Sequence, residues 1–230
     1  YIGLTLNKRG VLRALATREG NKRGIDEIGC VAVAADGFGV KNQGQTRQES
    51  IIAAGDMINL AKAEGMSAQV TISVAFGCPF DGEVAPETVI DLAERLAEFE
   101  PREIAIADTI GVAVPQQVTD LISRIKEKLP ETNIRAHFHD TRGTGIANAW
   151  AAYQAGAVTL DSSVAGLGGC PFAPGATGNI ATEDLLYMLN RSQIQHGLDL
   201  NKTIDNVMMI EDILGRKSPS SLARAGNFPK

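Results

Sequence analysis

Apolar and polar residues follow a repeating strand-then-helix pattern along the chain. Short runs rich in apolar and β-branched residues are each followed by a longer segment whose apolar residues recur at helical spacing. Strands are predicted at residues 1–6, 26–35, 69–76, 102–107, 134–139 and 157–161. Helices are predicted at residues 9–19, 47–64, 86–97, 115–129, 145–155, 181–189 and 203–214.

Six strand–helix units in succession predict a parallel sheet covered by helices through right-handed crossovers. Two architectures have this pattern, an open doubly wound sheet and a barrel. No Gly-x-Gly-x-x-Gly follows a strand, which disfavours the dinucleotide-binding form of the open sheet. A TIM (β/α)8-type barrel has eight strands, so about six of its βα units would be present, with two missing on the N-terminal side. Residues 1–230 are predicted to form this single α/β barrel domain, with a C-terminal helix and tail at 203–230.

Composition narrows the classes of function. Hydrophobic residues make up 44% of the 230 residues and charged residues 21%, which is typical of a chain with a large core. The net charge is −5 and the basic residues are scattered, so neither nucleic acid nor a membrane is an expected partner. Three cysteines and no signal peptide predict a reducing compartment, the cytoplasm, with the mitochondrial matrix as the alternative in a eukaryote. Because the sequence starts at Tyr1, it is expected to begin inside a domain.

Two histidines lie two residues apart on the fifth predicted strand. Strand alternation places His137 and His139 on one face with Arg135, and the apolar residues between them on the other. Two imidazoles at this spacing can bind one divalent cation, or both can be hydrogen-bonded polar side chains inside the barrel. The spacing alone leaves both interpretations open. Asp140, next in the chain, is a candidate carboxylate for supporting a metal ligand or for capping a loop.

A glycine-rich loop after the sixth strand carries Cys170. Such a loop can act as a lid over a substrate. The unperturbed pKa of a thiol, about 8.5, leaves it mostly protonated near neutrality, so Cys170 can serve as a proton donor or as a nucleophile. The alternative is an inert small hydrophobic residue. Cys78, in a similar Gly-Cys-Pro-Phe segment with fewer glycines, is predicted to be structural, and Cys30 to belong to the core.

Further candidates follow other strands. Asn179 precedes an apolar helix and is either its N-cap or, through its carboxamide oxygen, a ligand of magnesium or manganese; the residues alone favour the cap. Asp108 and Thr109 end the fourth strand, where they can orient a substrate or cap a turn. Lys41, in a predicted loop after the second strand, is either a contact for an anionic substrate or a solvated lysine. Asp161, at the end of the sixth strand, is predicted to be supporting structure.

These segments together resemble one enzyme family. The run VAGLGGCPFAPGATGNIATEDLLYML is similar to the signature loop and following helix of 3-hydroxy-3-methylglutaryl-CoA lyases, which belong to a superfamily of metal-dependent barrel lyases and acyl-CoA synthases. The similarity starts at LTLN, residues 4–7, and continues through AFGCPFDG, IADTIGV and HFHDTRGTGIANA, so it covers nearly the whole chain. The glycine–cysteine loop is highly specific, whereas His-x-His is shared across the superfamily.

The resemblance implies a reaction and a set of site residues. His137, His139 and Asn179 would be ligands of Mg²⁺ or Mn²⁺, Cys170 the catalytic lid cysteine, and His137 also a participant in proton transfer. The reaction implied is cleavage of 3-hydroxy-3-methylglutaryl-CoA (HMG-CoA) to acetyl-CoA and acetoacetate. In it the C3 hydroxyl, acidified on the cation, loses its proton, and Cys170 protonates the resulting enolate. An acyl-CoA is the implied partner, and a homodimer is suggested.

Departures from the family pattern leave the exact activity open. The Arg-Asp pair of the family's first strand and the glutamate of its second have no counterpart, because the similarity begins at the third strand. Arg142 stands where the family has an aromatic residue, which makes it a further candidate substrate contact, and Ala35-Asp36-Gly37 replaces Ser-Glu and a larger residue. These changes indicate that another 3-hydroxyacyl-CoA, such as citramalyl-CoA, can be the substrate. The resemblance is also compatible with an acyl-CoA condensing synthase or with a non-catalytic metal-binding relative.

Overall fold

A computed structural model describes residues 1–20, 23–169 and 178–228 of the chain. In these residues the strands are β1 (Ile2–Leu4), β2 (Glu27–Val33), β3 (Ser67–Ser73), β4 (Gly77–Cys78), β5 (Gly82–Glu83), β6 (Ile104–Asp108), β7 (Ile134–Phe138) and β8 (Thr159–Asp161). All except β4 and β5, which form an antiparallel hairpin, belong to one parallel sheet with the order β1-β2-β3-β6-β7-β8.

The strand order distinguishes the two predicted architectures. Neighbours in the large sheet follow their order in the chain, and every pairing is parallel. A doubly wound sheet would reverse its order at a switch point, where the helices change face. A sequential parallel sheet is instead the arrangement of a (β/α) barrel, and the six strands make up a curled part of one. The predicted fold class is therefore confirmed.

Helices connect the strands and cover one side of the sheet. Their bounds are α1 (Lys8–Ala16), α2 (Asp36–Gln43), α3 (Arg47–Ala63), α4 (Pro86–Ala97), α5 (Pro115–Lys128), α6 (Gly145–Gln154), α7 (Thr182–Arg191), α8 (Leu200–Leu214) and α9 (Ser221–Ala225). Pro86 and Pro115 begin α4 and α5, as predicted, because a first-turn residue has no helical partner for its N–H. None of the helices in the described ranges is long and apolar enough to cross a bilayer.

The structure differs from the sequence prediction after β2. The predicted loop that contains Lys41 is the helix α2, which ends at Gly44 in the left-handed conformation, with φ of +69°. Glycines inside α2 lower its helix propensity and hid it in the sequence. Gly39 is needed for packing, since a Cβ there would lie 2.4 Å from the carbonyl oxygen of Gln45 and 2.6 Å from Val33 Cγ2.

Two smaller differences concern other connections. The segment after β3, predicted as a loop, contains the β4–β5 hairpin. The last long helix begins at Leu200, three residues before the predicted start, because Asp199 caps it by accepting a hydrogen bond from Lys202 N at 3.1 Å. The predicted C-terminal tail contains α9, and Ser220 caps this helix.

The core lies between the sheet and the helices, and two of the cysteines belong to it. The largest fully buried side chains are Phe38, Phe138, Ile28, Met57, Ile58, Ile72, Leu92, Leu96, Ile104, Ile106, Leu121 and Ile122. Cys30 is fully buried, and this burial raises the pKa of its thiol to about 11. Cys78 is buried in the β4–β5 hairpin, where its Sγ accepts hydrogen bonds from the backbone N–H groups of Phe80 and Asp81. These contacts agree with the structural roles predicted for both.

Candidate active site

The carboxyl ends of β7 and β8 bring polar side chains to one end of the sheet. Along β7, Ile134, Ala136 and Phe138 are buried, while Arg135 and His137 are partly exposed on the opposite face. The predicted alternation of apolar and polar faces is therefore confirmed. Parallel catalytic strands of barrels end in this way, with functional side chains where the strands meet their loops.

His137, in β7, and His139, directly after β7, lie side by side. The ring centroids of His137 and His139 are 5.3 Å apart, with an interplanar angle of 56°. His139 is 5% exposed, whereas His137 keeps 30% of its side chain accessible. The backbone of His139 forms an isolated antiparallel bridge with Asn179. The structure thus brings together the three residues predicted to hold a cation.

Asn179 presents a free carbonyl oxygen at this place. Its Nδ2 donates a hydrogen bond to the carbonyl oxygen of Leu167 at 2.9 Å, which fixes the orientation of the amide. Its Oδ1 is buried and accepts no hydrogen bond from any residue that the structure describes. The predicted capping role is wrong, because α7 begins later, with Ala181 as its N-cap, and position 179 pairs with the exit of β7.

These donors fit a divalent cation of the magnesium or manganese type. Such ions accept imidazole nitrogen and amide oxygen together. An unsatisfied buried carbonyl oxygen costs about 1–3 kcal/mol, and a bound cation would remove that cost. Within residues 1–20, 23–169 and 178–228, no group of three or more His, Cys, Asp or Glu side chains could hold a metal. The candidate set consists of two imidazoles and one amide.

Glycines allow the two segments that flank residues 170–177 to approach each other closely. A Cβ on Gly178 would lie 1.8 Å from the carbonyl oxygen of Gly166, and a Cβ on Gly168 would lie 2.5 Å from Asn179 Nδ2. Ala165, in the short 3-10 helix Val164–Gly166, has a positive φ of +62° and donates its N–H to Glu183 Oε2 at 3.1 Å. The orientation of Asn179 therefore depends on this tight backbone contact.

Replacing Gly178 with alanine should displace the neighbouring Asn179. The added Cβ would meet backbone rather than a movable side chain, so the chain must shift by more than an ångström. A misplacement of that size can reduce turnover by about 100-fold. Turnover and the Kd for Mn²⁺ measure the effect. Gly10→Ala is a control. Gly10 lies inside α1, and a Cβ added there would come no closer than 3.3 Å to another heavy atom, the Cβ of Thr5. Wild-type turnover in Gly178→Ala would show that the close approach is not needed.

The predicted lid cysteine, Cys170, lies outside the described residues. Its catalytic role stays a prediction from the sequence. The structure describes the chain up to Gly169 and again from Gly178.

Asp108 and Thr109 act on their own loops. The two oxygens of Asp108 accept hydrogen bonds from the backbone of Val112 and Ala113, each at 2.9 Å. Burial raises the pKa of Asp108, and these hydrogen bonds offset only part of the rise. Thr109 Oγ1 accepts from Val74 N at 2.8 Å and so holds Val74 at a positive φ of +52°. The contacts are those of the turn-capping alternative, and contact with a substrate stays a prediction.

Lys41 and Arg142 are engaged elsewhere. Lys41 Nζ lies 3.6 Å from the centroid of the Phe80 ring, in a cation–π contact. Arg142 Nη1 donates to the carbonyl oxygens of Ile110 and Gly111 at 2.9 and 3.0 Å. Among the described residues, no hydrogen bond or ion pair joins either cation to His137 or Asn179. Contact of either residue with a substrate stays a prediction.

Asp140 and Asp161 have different roles: Asp140 caps a helix, and Asp161 contacts a candidate metal ligand. Asp140 Oδ1 accepts from Gly145 N at 2.8 Å, so Asp140 caps the start of α6. Asp161, in register with His137 on the neighbouring strand, has its Oδ2 3.2 Å from His137 Nδ1. Sequence reasoning missed this contact. The signal was present, since polar Thr159 and Asp161 alternate on β8 as the polar residues do on β7.

The parallel sheet has sequential strand order, and two imidazoles and a buried amide oxygen lie at its carboxyl end. These features are typical of an enzyme of the barrel class. Residues 7–210 match the family model described as HMGL-like. The chain belongs to this HMGL-like family, as its signature loop predicted. Membership in the HMG-CoA lyase family and the class of enzyme, a carbon–carbon lyase, are confirmed by the relatives that follow.

Three relatives show the extent of the similarity. An (R)-citramalyl-CoA lyase of Chloroflexus aurantiacus is 39% identical over 226 residues, which cover 98% of this chain and 69% of that protein. A hydroxymethylglutaryl-CoA lyase of Bacillus subtilis is 39% identical over 220 residues, covering 96% and 72%. The solved structure of an HMG-CoA lyase from Acinetobacter baumannii, in complex with coenzyme A and 3-methylmalate, superposes with a TM-score of 0.92 at 35% identity, covering 100% of this chain and 73% of that one.

Proposed function

We propose that this protein cleaves a 3-hydroxy-3-methylacyl-CoA that carries a free carboxylate, releasing acetyl-CoA and a keto acid with the help of Mg²⁺ or Mn²⁺. Relatives named for HMG-CoA and for citramalyl-CoA are equally similar to the chain. These two thioesters differ by one methylene between the hydroxyl-bearing carbon and the carboxylate. The observation that carries the proposal is the convergence of His137, His139 and Asn179 Oδ1 at the end of β7.

The residues present would bind and orient the reacting group. His137, His139 and Asn179 Oδ1 would hold the cation, which when bound supplies a Lewis acid that makes the substrate hydroxyl more acidic. His137 Nδ1 faces Asp161, so its Nε2 offers the single lone pair of that ring. This nitrogen can hold the cation or accept a proton, but not both at once.

Proton transfers complete the proposed reaction. With His137 Nε2 holding the cation, the hydroxyl of the substrate gives up its proton to water, its C–O bond becomes a carbonyl, and the bond to the carbon next to the thioester breaks. The bond's electron pair passes to that carbon as the enolate of acetyl-CoA. Cys170 is proposed to donate its thiol proton there, which gives acetyl-CoA and leaves a thiolate to be reprotonated. The second product is acetoacetate from HMG-CoA and pyruvate from citramalyl-CoA.

Product analysis tests the proposal. Purified protein with Mn²⁺ should release acetyl-CoA from HMG-CoA or citramalyl-CoA, as measured by mass spectrometry. A site that discriminates one methylene should prefer one of the two by about 10- to 200-fold. A chelator should lower the rate at least about 100-fold, and Mn²⁺ should restore it, since a Lewis-acid cation contributes several kcal/mol. Full activity in chelator would contradict the metal-dependent mechanism.

The same assay separates the lyase from the synthase and from the non-catalytic relative. An acyl-CoA condensing synthase would instead release free coenzyme A thiol from acetyl-CoA and a 2-oxo acid. A non-catalytic relative would bind Mn²⁺ and turn over neither mixture. The glycine–cysteine loop around Cys170 favours the lyase, because in the resemblance that loop is specific to lyases.

A further inference from the structure

A continuous chain of polar contacts runs from the interior of the sheet to His137. Thr159 Oγ1 donates to Glu103 Oε1 at 2.6 Å, and Arg135 donates to Glu103 Oε2 through Nε at 2.9 Å, with Nη2 at 2.7 Å. On its other side Arg135 Nη1 donates to Asp161 Oδ1 at 2.7 Å. Asp161 Oδ2 lies 3.2 Å from His137 Nδ1, within hydrogen-bond distance.

This network of hydrogen bonds determines which nitrogen of His137 carries the proton. Arg135 has only donors, so it cannot supply a lone pair to Asp161. Arg135 Nη1 lies 2.7 Å from Asp161 Oδ1, so the guanidinium forms an ion pair with an ionised carboxylate. An ionised carboxylate is an acceptor only. In the neutral ring of His137, Nδ1 must therefore donate, which leaves the lone pair on Nε2.

We propose that Asp161 is a positioning residue, anchored by Arg135, which holds His137 in the Nδ1–H tautomer and presents Nε2 to the cation. The presentation to a cation rests on the proposed function, whereas the tautomer does not. Carboxylates that accept a hydrogen bond from a ligating histidine fix both its tautomer and its ring orientation. Nothing in the sequence resemblance assigned this role to Asp161.

The surroundings make Asp161 a rigid anchor. Arg135 is 12% exposed and Glu103 6%, so the guanidinium is clamped between two carboxylates inside the sheet. Register pairs Ala105 with Arg135 and Ala107 with His137, and these small residues leave room on β6 for the long side chains. Each oxygen of Asp161 receives a different donor. A side chain with one acceptor oxygen cannot replace it.

The tautomer can be measured in metal-free protein. Long-range ¹H–¹⁵N correlation spectra of protein labelled at histidine distinguish Nδ1–H from Nε2–H, and the chain has only three histidines to assign. Wild-type His137 should be Nδ1–H. In Asp161→Asn, one amide oxygen faces two donors, so His137 should lose its single tautomer. The Kd for Mn²⁺, from titration calorimetry, should rise about 10- to 100-fold.

Glu103→Gln is the matched control, because it removes a buried carboxylate from the same network but not one that touches His137. It should keep the Nδ1–H tautomer and a Kd within about threefold of wild type, because Asp161, the outer partner of the ligand, keeps its hydrogen bond from Arg135. The proposal is overturned if wild-type His137 is Nε2–H, a test that needs no variant to fold. It is also overturned if both variants shift the tautomer equally or neither does. Wild-type protein that binds no Mn²⁺ but shows Nδ1–H would contradict the proposed function and support the positioning role.

Discussion

Replacing Cys170 with alanine is expected to lower the rate of acetyl-CoA formation by about 10²- to 10⁴-fold, the contribution typical of a positioned general acid. Without the thiol, the enolate left by carbon–carbon cleavage must take its proton from water. Alanine removes the proton donor with little change in size. The measurement is kcat for the faster of HMG-CoA and citramalyl-CoA, with Mn²⁺ present.

Cys78→Ala is the matched control for this variant. Both cysteines stand in a Gly-Cys-Pro-Phe segment, but the sulfur of Cys78 is buried and accepts hydrogen bonds from the backbone of its hairpin. Its replacement should reduce stability while kcat stays near that of wild type. If Cys170→Ala retained full turnover, the acid would have to be another group. If both variants lost activity equally, the loss would reflect folding rather than proton transfer.

The faces of the sheet could be predicted from the sequence because their pattern is local. Alternation along residues 134–139 depends only on strand geometry, and it placed His137 and Arg135 together opposite buried Ile134 and Phe138. The approach of His137 to His139 followed from the same alternation. Helix starts at proline were predictable for a similar reason, since the constraint lies within the residue.

Contacts between distant segments could not be predicted in this way. The sequence favoured Asn179 as a helix cap, because nothing local shows that position 179 pairs with His139 instead. Glycines such as Gly39 made α2 unrecognisable as a helix in the sequence. A glycine is required at position 39 because Gln45 and Val33 pack against it, and only the folded structure shows that contact. Asp161 was recognised as polar but not as a partner of His137, because their contact depends on strand register. In each case the missing information was tertiary.

Replacing Arg135 with methionine should destabilise the protein by about 3–5 kcal/mol. Methionine fills similar volume but leaves Glu103 and Asp161 without their shared cation, and a buried charge without a partner is costly. Urea unfolding followed by circular dichroism measures the effect as a lower midpoint with an unchanged slope. Adding Glu103→Gln should recover part of the loss, because it removes the charge left unpaired at the more buried end of the network.

Arg124→Met separates burial from charge in this prediction. Arg124 also lies between two carboxylates, Glu87 at 2.8 Å and Asp120 at 3.4 Å, but all three side chains are exposed. Solvent screens such pairs, so this variant should lose much less stability than Arg135→Met. Equal losses in the two variants would mean that the network beneath His137 contributes no more than a surface ion pair. A large loss confined to Arg135→Met would instead show that the ion pair between Arg135 and Asp161 both holds Asp161 in place and stabilises the fold.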